Sequence, residues 1–188
     1  MSATSEHGDE GEQAALRAER RWAALSIFII CLLILMAGFA GIHVLIMPQP
    51  RVETVDVRTV PLKGEFIESN LGTEVQRDGG VMVRMVAQQY SFTPPCLVVP
   101  VDTPVTIRAT SLDVIHGLII DGTNINTMLV PGFISVAQTR FRETGDHRMP
   151  CHEYCGVGHE GMWADVRVVP REEFSKMAAD KPRLSCAG

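Results

Sequence analysis

The sequence predicts an all-β domain, an antiparallel sandwich or barrel, anchored by one N-terminal transmembrane helix. Residues 22–47 form an apolar run that contains no Asp, Glu, Lys or Arg. From residue 81 onward, short apolar or alternating segments recur between turns that contain Gly and Pro, a pattern typical of antiparallel β-domains. A chain of 188 residues has room for one such domain and an appendage.

The apolar run at 22–47 is long enough to cross a membrane. As a helix, its 26 residues would extend about 39 Å, more than the roughly 30 Å hydrocarbon core of a bilayer. The alternative is a cleaved signal peptide, although an apolar region of about 7–15 residues is usual there. Gly38-Phe-Ala-Gly41 resembles a cleavage site, so this alternative stays open.

Charges around the span predict its orientation. Residues 1–21 are polar and acidic overall, but Arg17, Arg20 and Arg21 lie directly before the apolar run. Arg51 and Arg58 follow it, and because positive residues favour the inner side, the nearer cluster predicts a cytoplasmic N-terminus. Residues 1–21 are therefore predicted as a cytoplasmic segment, whose part at 11–21 could continue the helix.

Beyond the span we predict three segments. Pro48 and Pro50 end the helix, and residues 48–80, with little periodicity, are predicted as a linker that lies on the domain or the membrane surface. Residues 81–170 form the β-domain, and 171–188 a tail with a short helix over 171–179. Strands are predicted at 81–87, 97–99, 105–110, 116–120, 133–139 and 164–169.

Composition excludes several functions. Net charge is −5 with no basic run, which argues against nucleic-acid binding. We find no glycine-rich phosphate loop and no serine nucleophile motif. Of the five cysteines, Cys31 lies in the span, and the sequence alone does not decide whether Cys96 and Cys186 pair.

The chemistry is concentrated in residues 151–163, CHEYCGVGHEGMW. Cys151, Cys155, His159 and Met162 are soft and borderline donors of the kind that copper prefers. His116 opens a predicted strand upstream and supplies a fifth side chain. Two thiolates, two imidazoles and a thioether suffice for two coppers that share sulfur, which indicates electron transfer rather than bond-making chemistry.

Each donor also has a structural interpretation. Cys151 and Cys155 could form a disulfide, or bind zinc with His116 and His159. His116 alone is more often a strand histidine with a hydrogen-bond partner, and Met162 alone is more often a core residue. Their combination in one motif favours copper ligation.

The motif resembles the binuclear copper-A site of haem–copper oxidase subunit II. Ser111-Leu-Asp-Val-Ile-His-Gly and Asp121-Gly-Thr-Asn-Ile-Asn are also similar to that family. The single span is most like the B-type oxidases, whose subunit II has one membrane helix. The resemblance covers the span and roughly residues 81–169, and it implies a cupredoxin-like Greek-key sandwich or barrel.

The resemblance implies a role for each donor. Cys151 and Cys155 bridge two coppers, His116 and Met162 complete one copper, and His159 with the carbonyl of Glu153 completes the other. A glutamate at this point helps bind magnesium at the contact with subunit I in many members, whereas B-type relatives often carry glutamine. Magnesium binding by Glu153 therefore stays open, and His147 and His152 are expected to be non-ligands.

Aromatic residues near the site are candidates for electron uptake: Tyr90, Phe92, Tyr154 and Trp163. We expect core packing to be the true role of at least two of them. Many subunit II proteins have a tryptophan in the segment matching 88–93, where this chain has QQYSFT; this departure suits the B-type oxidases, whose donor surface differs.

The implied function is that of the electron-accepting subunit of a terminal respiratory oxidase in a prokaryotic cell membrane, with the copper domain on the periplasmic or outer side. The donor would be cytochrome c or a small copper protein, and oxygen would be reduced in the haem-containing, proton-translocating subunit I. Copper-insertion chaperones and membrane lipid are further expected partners. The alternatives are a nitric oxide reductase subunit and a membrane-tethered copper carrier.

Overall fold

A computed structural model describes residues 3–43 and 52–186 of the chain. The predicted boundary residues 44–51, and residues 1–2 and 187–188, lie outside the described part. The chain divides into two compact units, residues 1–47 and 48–188, and each is considered by itself.

The first unit is one long helix, α1 (Ala3–His43). The predicted polar segment and the predicted span therefore form a single continuous helix over their described residues. Its portion Glu12–His43 is long and apolar enough to cross a membrane, and large apolar side chains such as Leu35 and Ile42 are exposed along it. Such exposure in water is costly, which agrees with a lipid-facing helix.

The second unit is a β-sandwich with a short terminal helix, as predicted, although with more strands. The elements are β1 (Glu53–Thr54), β2 (Gly72–Val75), β3 (Val81–Gln88), β4 (Ser91–Thr93), β5 (Cys96–Pro100), β6 (Val105–Ser111), β7 (His116–Ile119), β8 (Asn126–Leu129), β9 (Phe133–Thr139), β10 (Gly145–Pro150), β11 (Trp163–Val169) and α2 (Arg171–Asp180).

These strands form three sheets. One contains β1, β9, β6, β3 and β2 in that order, with β4 beside β3; the second has the order β10, β11, β5, and the third pairs β7 with β8. The expectation of a purely antiparallel domain was wrong, because β3 with β6 and β5 with β11 pair in parallel. The chain leaves β3 through β4, which pairs with β3, and then through β5 of the second sheet before it returns as β6. Such a crossover aligns β3 and β6 in the same direction.

Alternation along β3 explains how the layers pack. Val81, Val83, Met85 and Ala87 are buried in the main core, whereas Arg84 lies on the opposite face. Side chains two residues apart share one face of a strand, so the even-numbered positions need separate cover. The main core is completed by residues from the facing sheet, including Leu97, Val98, Met149, Val166 and Val168.

That cover comes from residues 52–71, within the segment predicted as linker. Val60 and Phe66 are buried there against Val86 of β3, and partly buried side chains surround them. β1 pairs with β9 and β2 pairs with β3, so the segment 48–80 that was predicted as a linker contributes two strands to the sheet. The domain boundaries themselves stay predictions.

An ionic network fastens the same segment to the sheet. Arg84 and Arg108 lie opposite each other in the β3–β6 register, and like charges in that position repel. Glu65 lies between them, hydrogen-bonded to the Nε atoms of both. Glu53 and Glu74 pair with the outer sides of Arg108 and Arg84, and the carboxylates of Glu65 and Glu53 raise the pKa of Arg108.

The C-terminal tail is tied to the sheet by a disulfide between Cys96 and Cys186. This pairing joins the start of β5 to the end of the described chain, 90 residues apart in sequence. Leu184 also bridges to Thr73 of β2 through two backbone hydrogen bonds of 2.9 and 3.0 Å. The tail therefore closes the edge between β2 and β5.

Replacement of Glu65 tests the ionic network. We expect Glu65→Gln to lower the free energy of unfolding of the domain by about 2 kcal/mol, because charge-assisted hydrogen bonds to two facing arginines are weakened. Guanidinium unfolding of the full chain in detergent, followed by near-UV circular dichroism, measures this change. Glu172→Gln is the control, because among the described residues that exposed carboxylate has one ion pair, with Lys176 at 4.0 Å. Equal losses of stability in the two variants would contradict the role given to Glu65.

Candidate metal centre

Two segments of the chain supply the candidate ligands. His116 is the first residue of β7, and the other donors lie on the loop 151–162 between β10 and β11. The loop closes as an extension of this hairpin: Pro150 pairs with Trp163, and the N–H of Cys151 donates to the carbonyl of Met162 at 3.0 Å. The two rigid strands therefore set where the loop begins and ends.

The structure brings all the predicted side-chain donors together. One ring nitrogen of His116 and the two Sγ atoms of Cys151 and Cys155 lie within 4.8 Å of one another. The Sγ–Sγ distance is 3.9 Å. The Sγ of Cys155 lies 3.6 Å from Nδ1 of His159 and 3.7 Å from Sδ of Met162.

The backbone adds a further donor atom. The carbonyl oxygen of Glu153 lies 3.2 Å from the Sγ of Cys151, while its carboxylate is half-exposed and lies 3.6 Å from Nδ1 of His152. His147 hydrogen-bonds the carbonyl of Asp121 at 2.8 Å and is not in the donor group. His152 likewise lies outside the group of ligand atoms that His116, Cys151 and Cys155 form.

Burial separates four of the five side-chain donors from solvent, whereas His159 is partly exposed. His116 is 0% exposed, Met162 2%, Cys155 5% and Cys151 6%. Buried polar groups need partners, and the ring of His116 has one: its Nε2 lies 2.8 Å from Oδ1 of Asp113. Its Nδ1 faces the Sγ of Cys151 at 3.9 Å, so the carboxylate orients the ring toward the sulfurs, as outer partners of metal-binding histidines do.

Asp113 is held in its charged form. Burial opposes ionisation, but hydrogen bonds from the N–H of Gln89, the ring of His116 and the N–H of Val114 outweigh it and lower the pKa of Asp113. A charged carboxylate beside Nε2 favours a proton on that nitrogen and leaves Nδ1 free to bind a metal.

Glycine lets the ligand loop pack against β7. A Cβ at Gly117 would lie 2.5 Å from Nδ1 of His152 and 2.7 Å from the backbone nitrogen of Glu153. The residue after His116 must therefore be this small for the loop to lie across the strand. Sequence reasoning quoted the His-Gly pair and did not assign this role to the glycine.

The aromatic candidates divide by exposure. Phe92 is 1% exposed and belongs to the main core, so it offers no surface to a donor. Tyr90 is 40% exposed, Trp163 54% and Tyr154 77%, so one candidate rather than two packs in the core. Tyr154 stacks edge-on against His159 with ring centroids 5.8 Å apart, and the guanidinium of Arg148 lies over Trp163.

The Cys155 thiol of the metal-free site should titrate late. Burial, followed by the adjacent Cys151, raises the pKa of Cys155 to about 11, so that thiol stays protonated at neutral pH. Because the thiolate is the nucleophile, we expect the alkylation rate of Cys155 in metal-free protein to keep rising above pH 10. Mass-spectrometric peptide labelling against pH measures it; a plateau near pH 8.5, as for a free thiol, would contradict the prediction.

Comparisons with known proteins point to one family. The family model described as "Cytochrome C oxidase subunit II, periplasmic domain" matches residues 83–169. One cytochrome c oxidase subunit 2 of Thermus thermophilus is 29% identical over 161 residues, 85% of this chain and 96% of the relative. A second from the same organism is 31% identical over 123 residues, 65% of this chain and 91% of the relative.

A solved structure has the same fold. A chain from the cryo-EM structure of a heme-copper terminal oxidase dimer superposes with a TM-score of 0.59 at 24% identity, over 81% of this chain and 99% of that chain. The predicted anchored cupredoxin-like sandwich is thereby confirmed. Members of the cytochrome c oxidase subunit II family bind copper and partner subunit I of haem–copper oxidases. This chain, which has the Cys/His site and covers 96% and 91% of the two Thermus thermophilus relatives, belongs to that family.

Proposed function

We propose that this chain is the electron-accepting subunit of a terminal respiratory oxidase. It takes single electrons from cytochrome c or a small copper protein and delivers them to the haem of subunit I, where oxygen is reduced. The observation that carries the proposal is a group of five side-chain donors, four of them buried, and one carbonyl, drawn from two segments. Copper in such a soft donor set exchanges one electron at a time.

The donor set fits two coppers better than one metal. Six donors exceed the three or four that a single copper needs, and the two thiolates are close enough to be shared. Cys151 and Cys155 would bridge, His116 and Met162 would complete one copper, and His159 with the Glu153 carbonyl the other. A zinc site would use thiolate and imidazole and would leave the buried thioether of Met162 unexplained.

The chain's own residues hold the donors in place. Asp113 orients His116, the β10–β11 hairpin fixes both ends of the ligand loop, and Gly117 lets that loop lie against β7. A preorganised frame keeps its geometry when the charge on the site changes. Little reorganisation would then accompany each electron, which suits a relay.

The proposed topology places the domain on the outer side of a prokaryotic cell membrane, with α1 as its anchor and the N-terminus inside. The disulfide between Cys96 and Cys186 supports this side, because structural disulfides persist in oxidising compartments. Exposed Tyr154, within the ligand loop, and exposed Trp163, directly after it, are the surface residues that we propose for contact with donor or subunit I. Magnesium at Glu153 and delivery by copper-insertion chaperones stay predictions.

Metal counting tests the copper proposal. We expect the full chain in detergent to bind two coppers and to be purple with a mixed-valence signal. Cys151→Ser should bind at most one copper, because a shared thiolate is lost, whereas Cys31→Ser in α1 should keep both. Elemental analysis with electron paramagnetic resonance measures this; one copper, or zinc alone, in the unaltered chain would overturn the proposal.

The rival functions need different readouts. A copper carrier requires an accessible, exchangeable site, whereas these sulfurs are buried, so slow transfer to a chelator favours the relay. A nitric oxide reductase would differ in its partner, and consumption of oxygen against nitric oxide by the purified complex separates the two.

Gly117 provides a second test at the contact between loop and strand. We expect Gly117→Ala to lower copper affinity about tenfold or more, because the added methyl displaces the loop backbone at Glu153 and shifts its donors. Competition with a copper chelator measures the change. Gly161→Ala is the matched control, since nothing lies within 4 Å of a Cβ there; equal affinities for the two variants would contradict the packing argument.

A further inference from the structure

The turn between β3 and β4 lies beside both ligand segments, and the copper assignment gives it no role. It consists of Gln89 and Tyr90, which follow the end of β3 and precede β4. Neither residue is a predicted ligand. The turn nevertheless contacts the His116 side and the Cys155 side of the centre.

Gln89 makes one hydrogen bond to each side. Its backbone N–H donates to Oδ2 of Asp113 at 2.7 Å, and Oδ1 of the same carboxylate meets Nε2 of His116 at 2.8 Å. Its side-chain amide donates to the carbonyl of Cys155 at 2.5 Å. A continuous path of hydrogen bonds therefore runs from ligand His116 through Asp113 and Gln89 to ligand Cys155.

Tyr90 supports the same loop by packing. A Cβ at Gly156 would lie 2.5 Å from the hydroxyl oxygen of Tyr90, and a Cβ at Gly158 would lie 2.7 Å from Cδ2 of its ring. The ring is thus in close contact with the backbone on both sides of Val157, between Cys155 and His159. This contact limits how far that half of the loop can move.

We infer that Gln89 is a positioning residue for the copper centre, which fixes the Cys155 half of the ligand loop relative to His116. The inference rests on the proposed copper function. The hairpin already determines the loop ends at Cys151 and Met162, but its middle has no strand partner. Gln89 supplies the direct hydrogen bond to that middle from a different sheet.

The test compares neutral substitutions at neighbouring positions. Gln89→Met removes the amide donor and keeps the length of the side chain, and Gln88→Met is the matched control at an exposed position. We expect Gln89→Met to release copper to a chelator about tenfold faster and to change the visible spectrum and reduction potential. Gln88→Met should behave as the unaltered chain, and the metal-free forms should unfold at the same temperature.

A second readout needs no copper. In the metal-free chain we expect Gln89→Met to speed alkylation of Cys155 about fivefold, because the loss of one hydrogen bond favours local opening. Unchanged alkylation and copper release would overturn the inference, as would a parallel loss of stability in the metal-free form. Fewer than two coppers in the unaltered chain would overturn the proposed function, while the alkylation measurement would still decide the role of Gln89.

Discussion

The contact between the ligand loop and strand β7 is the constraint on which the centre depends. His116 lies on the strand, and four side-chain donors lie on the loop, so the donor group exists only while these two segments are packed together. Gly117 makes the approach possible, since the backbone of Glu153 occupies the space that a Cβ would need. Within the loop itself, the carbonyl of Glu153 lies 3.2 Å from the Cys151 sulfur.

The core of the sandwich holds the base of the ligand loop in place, and with it this contact. Met149 and Ala164, which pair across the β10–β11 hairpin, are buried in the main core, so the base of the loop cannot shift without disturbing that core. Residues 52–71 close the outer face of the other sheet, where Glu65 neutralises two facing arginines. The disulfide holds the tail beside β5. These contacts stabilise the domain outside the ligand loop, while Cys151, Cys155 and Met162 of the loop also pack in the main core.

Sequence reasoning succeeded where the signal is local. The motif 151–163 places its donors within twelve residues, and the predicted strands show the two-residue period that the structure retains along β3. The sequence did not predict which strands pair, because periodicity shows which face of a strand is buried and not which strand lies beside it. β1 and β2 were missed since they are short and partly exposed, and the Cys96–Cys186 pair depends on a return of the tail that no local pattern encodes. Gln89 was overlooked because an amide in a turn has no distinctive spacing.

The domain must hold sulfur in two oxidation states in one compartment. Cys96 and Cys186 are joined, whereas Cys151 and Cys155, with sulfurs 3.9 Å apart, must stay reduced to bind copper. Disulfide exchange begins with a thiolate, and burial raises the pKa of Cys155 to about 11. At neutral pH only about one molecule in ten thousand then carries that thiolate. The burial of Cys155 therefore also slows any disulfide exchange that this thiol would begin in the metal-free site. Copper must displace the thiol protons when it binds. The protonation that protects the metal-free Cys155 thiol is therefore the same equilibrium that copper binding must reverse.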